Sequence, residues 1–236
     1  MTEQQVKPQL RRTVEAAQAK ERVLAELSDD TTAGVDGRWT AKDHVAHLSA
    51  WREHAARVLD AALCGEDQPE DLDIDTQNAR IHATYRDQSA RDVLAAAHAS
   101  YDQLLATIDA TPETVLQRNR KGRPGPVWIV VPGNGHAHVG QHVSQWQLEH
   151  GDDSAAEQTA LWVHGLDLLF TDVQSQAVAD YNLACFYARS GRAEEAIPLL
   201  RASLEKGDAS LTEWAREDAD LKGIRDRPEV SALLSA

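Results

Sequence analysis

The stretch WTAKDHVAHLSAWREHAARVLDAALC, residues 39–64, decides the fold class. Thr40 stands where a helix begins. Its hydroxyl can cap the backbone N–H three residues on, and Asp43 adds negative charge to the first turn. Val45, Leu48, Ala55, Leu59 and Ala62 then follow on one stripe at helical spacing, and Gly65 ends the run. This pattern predicts an amphipathic helix over 41–64 that buries one face against other helices.

The same signals recur on both sides. Leu10, Val14, Ala17, Leu24 and Leu27 predict a helix over about 4–28, followed by a polar loop with Gly34 and Gly37. Residues 66–76 hold six carboxylates and one proline and read as a solvated loop, with a short helical piece at 76–86. Ser89-Ala90-Arg91-Asp92 repeats the cap and starts a third helix over 90–110, with Val93, Ala97, Leu104 and Ile108 on its core face. Four prolines and three glycines make 111–133 an irregular crossover, although Val127-Trp128-Ile129-Val130-Val131 within it could cover the bundle. A fourth helix opens at Asn134 or Gly135 and runs to about His150, and another apolar helix covers 155–171. The reading is all-α: a four-helix bundle over residues 1–171 and a small helical segment over 177–236.

Bulk properties narrow the function. The 236 residues carry a net charge of −14, so a broad surface that attracts phosphate backbones is excluded and no nucleic-acid partner is expected. The two cysteines, Cys64 and Cys185, lie far apart without metal or redox spacing and read as reduced thiols. No apolar leader follows Met1, and no apolar run approaches the roughly 18 residues of a membrane span. A cytoplasmic protein without a membrane partner is the expectation.

The residues able to carry chemistry are histidines. His138 and His142 lie four apart on the predicted fourth helix, hence on one side, where two neutral imidazoles can chelate one metal ion. Two ligands do not make a tight site, so a third must come from another helix. The second helix offers His44, nearer the apolar stripe, and His47, at its edge, and spacing does not choose between them. His54, His82, His98 and His164 read as ordinary capped or half-buried side chains. His136 points to a different side from His138 and is a candidate for lining a pocket, as are Trp51 and Trp128. Arg118, Arg120, Lys121 and Arg123 read as a solvated loop, with an anion or thiol-cofactor clamp as the sharper alternative. Asp43, Glu53 and Glu149 are acid/base candidates that nothing in the sequence ranks.

Residues 39–51, Trp-Thr-Ala-Lys-Asp-His-Val-Ala-His-Leu-Ser-Ala-Trp, resemble the Trp-Ser/Thr-x-Lys-Asp-x-x-x-His-Leu-x-x-Trp signature of the DinB-like superfamily. Asn134-Gly135-His136-Ala137-His138-Val139-Gly140-Gln141-His142 resembles the later motif of its ClbS/DfsB branch, an Asn followed by His four and eight residues on. The resemblance implies a four-helix bundle in which one His of the second helix and two of the last hold a divalent metal ion, Zn or Ni. Position by position these are His47, His138 and His142. It further implies a metal-dependent hydrolase or thiol S-transferase acting on a reactive small-molecule substrate in detoxification or self-resistance. Two other readings stand beside it: a non-catalytic protein that sequesters a small molecule, and a protein-interaction module.

The third reading rests on the C-terminal segment. Tyr181-Asn182-Leu183-Ala184-Cys185-Phe186-Tyr187-Ala188, then Gly191-Arg192 and Glu195-Ala196, resembles a tetratricopeptide repeat. A single repeat cannot bury its own face, so it implies packing on the bundle, on a copy in a homodimer, or on a protein partner.

Overall fold

A computed structural model describes residues 5–31, 38–66, 73–121, 123 and 125–235. Among these residues the regular elements are helices, and no strand forms. They fall into two compact units, residues 1–150 and 151–236.

The first unit is built on four long helices: α1 (Lys7–Ala25), α2 (Ala41–Cys64), α4 (Ala90–Ala110) and α7 (His136–Glu149). Helix α2 packs against α1, α4 and α7, and α1 against α4 and α7. Each buries the stripe its sequence dictates, including Leu10, Val14 and Leu24 from α1, Val45, Leu48 and Leu59 from α2, Val93, Leu104 and Ile108 from α4, and Val139 and Val143 from α7. The start of α2 is a complete capping box. Thr40 Oγ1 accepts from the Asp43 N–H, and the Asp43 carboxylate accepts from the Thr40 N–H at 2.9 Å. Gly65 ends α2 at a φ of 73°, where a residue with a side chain would be strained. The short α3 (Ile74–Tyr85) buries no residue and packs on α2.

The crossover is more ordered than its prolines and glycines suggest. After α5 (Glu113–Leu116), the chain forms a 3₁₀ turn at Val127–Ile129 and then α6 (Val130–Asn134). This segment buries Val127, Trp128, Val130 and Val131, as expected of a stretch that covers the bundle. Asn134 closes it by donating from Nδ2 to the Val130 carbonyl at 2.8 Å. Gly135 then carries the chain into α7. A Cβ at this position would stand 2.7 Å from the Val131 carbonyl oxygen, so only glycine fits.

One polar cluster lies inside this apolar interior. Arg52 of α2 is fully buried and forms two hydrogen bonds to Glu21 of α1, at 2.5 and 3.1 Å. Its Nε donates to Ser100 Oγ at 3.0 Å, and its guanidinium lies 3.8 Å from the centre of the Tyr101 ring. The Tyr101 hydroxyl donates to Glu21 at 2.8 Å. Three helices are thereby joined through one carboxylate.

The second unit contains α8 (Asp153–Asp167), α9 (Val173–Arg189), α10 (Ala193–Lys206), α11 (Ala209–Glu217) and α12 (Pro228–Ser235). Helix α8, which the sequence reading counts with the bundle, belongs here and packs on α9. Helices α9 and α10 pack on each other across the turn at Gly191. Asp218 accepts hydrogen bonds from the Tyr181 hydroxyl at 2.7 Å and from the Trp214 indole at 3.0 Å. Cys185 is buried, and burial pushes its thiol pKa upward, so it stays protonated and packs as a small apolar group. Among the described residues no helix is long and apolar enough to cross a membrane.

Candidate metal centre

Helical spacing puts His44, His47 and Trp51 within two turns of α2, and His138 and His142 one turn apart on α7. The contact between α2 and α7 turns two of these short-range patterns into one site. The Nε2 atoms of His47 and His138 lie 3.0 Å apart, and those of His138 and His142 lie 3.1 Å apart. His47 and His142 are buried and His138 is half-buried. The potential ligand atoms of the three all lie within 4.8 Å of one another.

Three ring nitrogens that face one another need a common partner. A shared proton can join two of them but leaves a third lone pair aimed at its neighbours. A divalent cation satisfies all three at once. Zn–N bonds of about 2.0–2.1 Å in a tetrahedral arrangement place ligand nitrogens about 3.3–3.4 Å apart. The observed spacings are a few tenths of an ångström shorter, so the rings need only small outward shifts to receive an ion. The residues present therefore fit a metal, and an all-imidazole set suits Zn or Ni among others.

Their electrostatics agree. Burial lowers the pKa of His47 to about 4, with a further fall from His44 nearby. Burial lowers His138 to about 3, helped by His47 and by the charge of Arg52. Burial also depresses His142, with His138 beside it adding to the fall. All three imidazoles are neutral at physiological pH, which is the ligating form.

His44 stands behind the site. Its Nδ1 lies 2.8 Å from Nδ1 of His142. With Nε2 of His142 serving as a ligand atom, the proton of that ring sits on Nδ1 and donates to His44, which fixes the tautomer and the ring plane. The two α2 histidines that spacing left unranked therefore occupy different places. His47 is in the cluster, and His44 supports it.

Three tryptophans surround the rings. Trp39 stacks on His142 with centroids 5.8 Å apart and 3° between planes, and its centroid is 4.8 Å from that of His47. Trp51 lies 6.2 Å from both His47 and His138, and Trp146 meets His44 edge-on at 5.9 Å. The role of Trp39 as a cover was not visible in the sequence, although it opens the same motif that contains His47. His136 is fully buried at the start of α7, and Trp128 is buried in the 3₁₀ turn. Of the acid/base candidates, Asp43 is committed to the cap of α2, and Glu149 accepts a hydrogen bond from Gln145 at 2.9 Å.

A cavity of about 580 Å³ opens in the same unit, with Trp51, His54, Ile129, Val130 and Asn134 in its wall. Trp51 thus faces both the cavity and the histidine cluster.

The buried imidazoles make the metal-free fold sensitive to acid. In the unfolded chain these rings take up protons below about 6.5, whereas folding holds His44 and His47 neutral down to about 4. The unfolded state thus binds more protons between about pH 4 and 6.5, and stability falls as pH drops through that range. We expect a loss of roughly 1 kcal/mol by pH 5.5 for each ring that stays neutral. Urea unfolding of chelator-treated protein at pH 7.5 and 5.5 checks this in a range where Asp and Glu remain ionised. Equal midpoints would contradict it.

The DinB superfamily matches this chain over residues 10–151, which covers the bundle and every residue of the cluster. Nothing matches the chain among curated proteins or among solved structures.

Proposed function

The chain belongs to the DinB superfamily, and from that premise we propose that it is a metal-dependent enzyme acting on a reactive small molecule, by hydrolysis or by transfer of a thiol, in detoxification or self-protection. The observation that carries this reading is the convergence of three neutral imidazole nitrogens, at 3.0 and 3.1 Å, beside a cavity large enough for a small molecule.

His47, His138 and His142 would hold the ion. Three protein ligands leave a coordination position open, and a Zn or Ni ion so held supplies Lewis acidity and lowers the pKa of a water or thiol that binds it. The chain's own residues set the conditions. Burial keeps the three rings unprotonated. His44 accepts the Nδ1 proton of His142 and so keeps its Nε2 lone pair directed at the cluster. Trp39 lies over His47 and His142 and excludes water from that side. Trp51 forms the boundary with the cavity, where the body of a substrate would rest.

The test is elemental analysis of protein purified without a histidine tag, before and after stripping and reloading with Zn or Ni. We expect one ion per chain after reloading. A chain that takes up neither metal would overturn the metalloenzyme reading.

A further inference from the structure

We infer that the cavity beside the histidine cluster binds a small molecule through an apolar ring system seated between Trp51 of α2 and Ile74 of α3. This names a substrate class for the proposed function and rests on that reading in taking the cavity as the substrate site.

The starting point is one exposed side chain. Ile74 is 66% exposed. A lone exposed isoleucine is ordinary on a protein surface. Ile74, however, shares a stripe of α3 with Asn78, Ile81 and Tyr85, which follow it at helical spacing. That stripe faces the bundle. Helix α3 packs on α2, and Asn78, Ile81 and Tyr85 are each half-buried. Asn78 also accepts a hydrogen bond from the Trp51 indole N–H at 3.2 Å. Ile74 lies one turn before Asn78 on the same side, so it belongs to the inward face and is still uncovered. The space in front of it is the reason, because Ile74 lines the cavity of about 580 Å³.

The other walls suit the same occupant. Trp51 and Val58 lie two turns apart on one side of α2, and Ile129 and Val130 close the space from the 3₁₀ turn and the start of α6. The indole offers a flat face on which a ring can stack, and the branched aliphatic groups offer apolar contact around it. The wall also holds His54, Asp73, Arg120, Arg123 and Asn134, so a ligand that fills the cavity carries polar groups beside its rings. The volume is that of a small-molecule site, roughly 300–1,000 Å³. Because Trp51 stands 6.2 Å from His47 and from His138, a ring stacked on it lies next to the imidazoles. Helix α3 gains most from such a ligand. It buries no residue, and a helix so placed opens at low cost. A ligand that covers Ile74 joins the first turn of α3 to α2 and steadies the helix.

The experiment titrates 2-naphthol into chelator-treated, metal-free protein by calorimetry and follows amide hydrogen exchange of the free and bound chain by mass spectrometry. We expect one molecule bound per chain and exchange of the α3 amides slowed about fivefold or more. Trp51→Leu should weaken binding about tenfold or more and Ile74→Ala about three- to tenfold, since each removes apolar surface that the rings cover. Ile74 is exposed, so Ile74→Ala keeps the fold even if Trp51→Leu does not. Leu63→Ala, at an exposed leucine of α2 outside the cavity wall, should bind as the parent does. Absence of binding, unchanged affinity in Ile74→Ala, an equal loss in Leu63→Ala, or binding that leaves α3 exchange unaltered would overturn the proposal. The titrations use metal-free protein and metal uptake is measured separately, so failure of the apolar site and failure of the metal centre give different results.

Discussion

Glu21→Ala should destabilise the bundle by about 3–5 kcal/mol, because it leaves a charged guanidinium buried without its partner. Arg52 is fully buried and Glu21 nearly so, and the two are joined by hydrogen bonds of 2.5 and 3.1 Å. Removing the carboxylate also deprives the buried Tyr101 hydroxyl of its acceptor at 2.8 Å. The remaining partners, Ser100, Ser49 and the face of the Tyr101 ring, carry no formal charge and cannot balance that of the guanidinium. The cost should therefore exceed that of an ordinary surface ion pair, which is about 0–1 kcal/mol. Urea unfolding at pH 7.5 measures it. The double replacement Glu21→Leu, Arg52→Met removes both charges, and its stability should lie much nearer to that of the parent, since a buried pair gains little over apolar residues of similar size. A loss under about 1 kcal/mol in Glu21→Ala would mean that the cluster is not held as a buried charge pair. The same experiment reaches the metal centre, because Arg52 is among the charges that disfavour protonation of His138.

His142→Ala should abolish stoichiometric metal binding. The substitution removes one of three converging Nε2 atoms and leaves His47 and His138, whose own separation of 3.0 Å cannot by itself enclose an ion. The loss should go well beyond the roughly 10–100-fold that removal of an outer hydrogen-bond partner costs. His44→Ala supplies the internal comparison. It removes the group 2.8 Å from Nδ1 of His142 but no ligand atom, so it should weaken binding by about 10–100-fold and keep the stoichiometry. His44→Asn, which can accept the same proton through its amide oxygen, should recover part of that loss. Competition with a coloured chelator gives the affinities, and the visible spectrum of the cobalt-loaded protein reports the ligand field directly. The assignment fails if His142→Ala retains one ion per chain. It also fails if His44→Ala loses as much affinity as His142→Ala, since His44 would then be a ligand.

Much of the bundle was legible in the sequence. The capping box of Thr40 and Asp43, the stripe from Val45 to Leu59 and the terminating Gly65 fix α2 with chemistry that lies within a few residues of itself. The crossover was less legible, because Pro126, Pro132 and Gly135 signal interruption without saying how short the helical pieces between them are. The apolar face of α8 shows that this helix packs, but not on which unit, and the compact units divide at residue 150.

The sequence by itself determined that α2 and α7 exist, and that His138 and His142 share one side of α7. Spacing did not say which histidine of α2 meets them; the motif resemblance pointed to His47, and the packing of α2 on α7 is what brings it there. His44 and His47 are three residues apart and so differ by only about 60° around the helix axis. That angle is narrower than the buried face itself, which spans roughly 100° or more. Both rings therefore point inward, and the rotation of α2 against α7 sends His47 into the cluster and His44 behind His142. The same holds for the pairing of Glu21 with Arg52, 31 residues apart, and for the Trp39 ring over His142. Local spacing fixes a side chain's direction on its own helix, but convergence of groups from different helices is a property of how those helices pack.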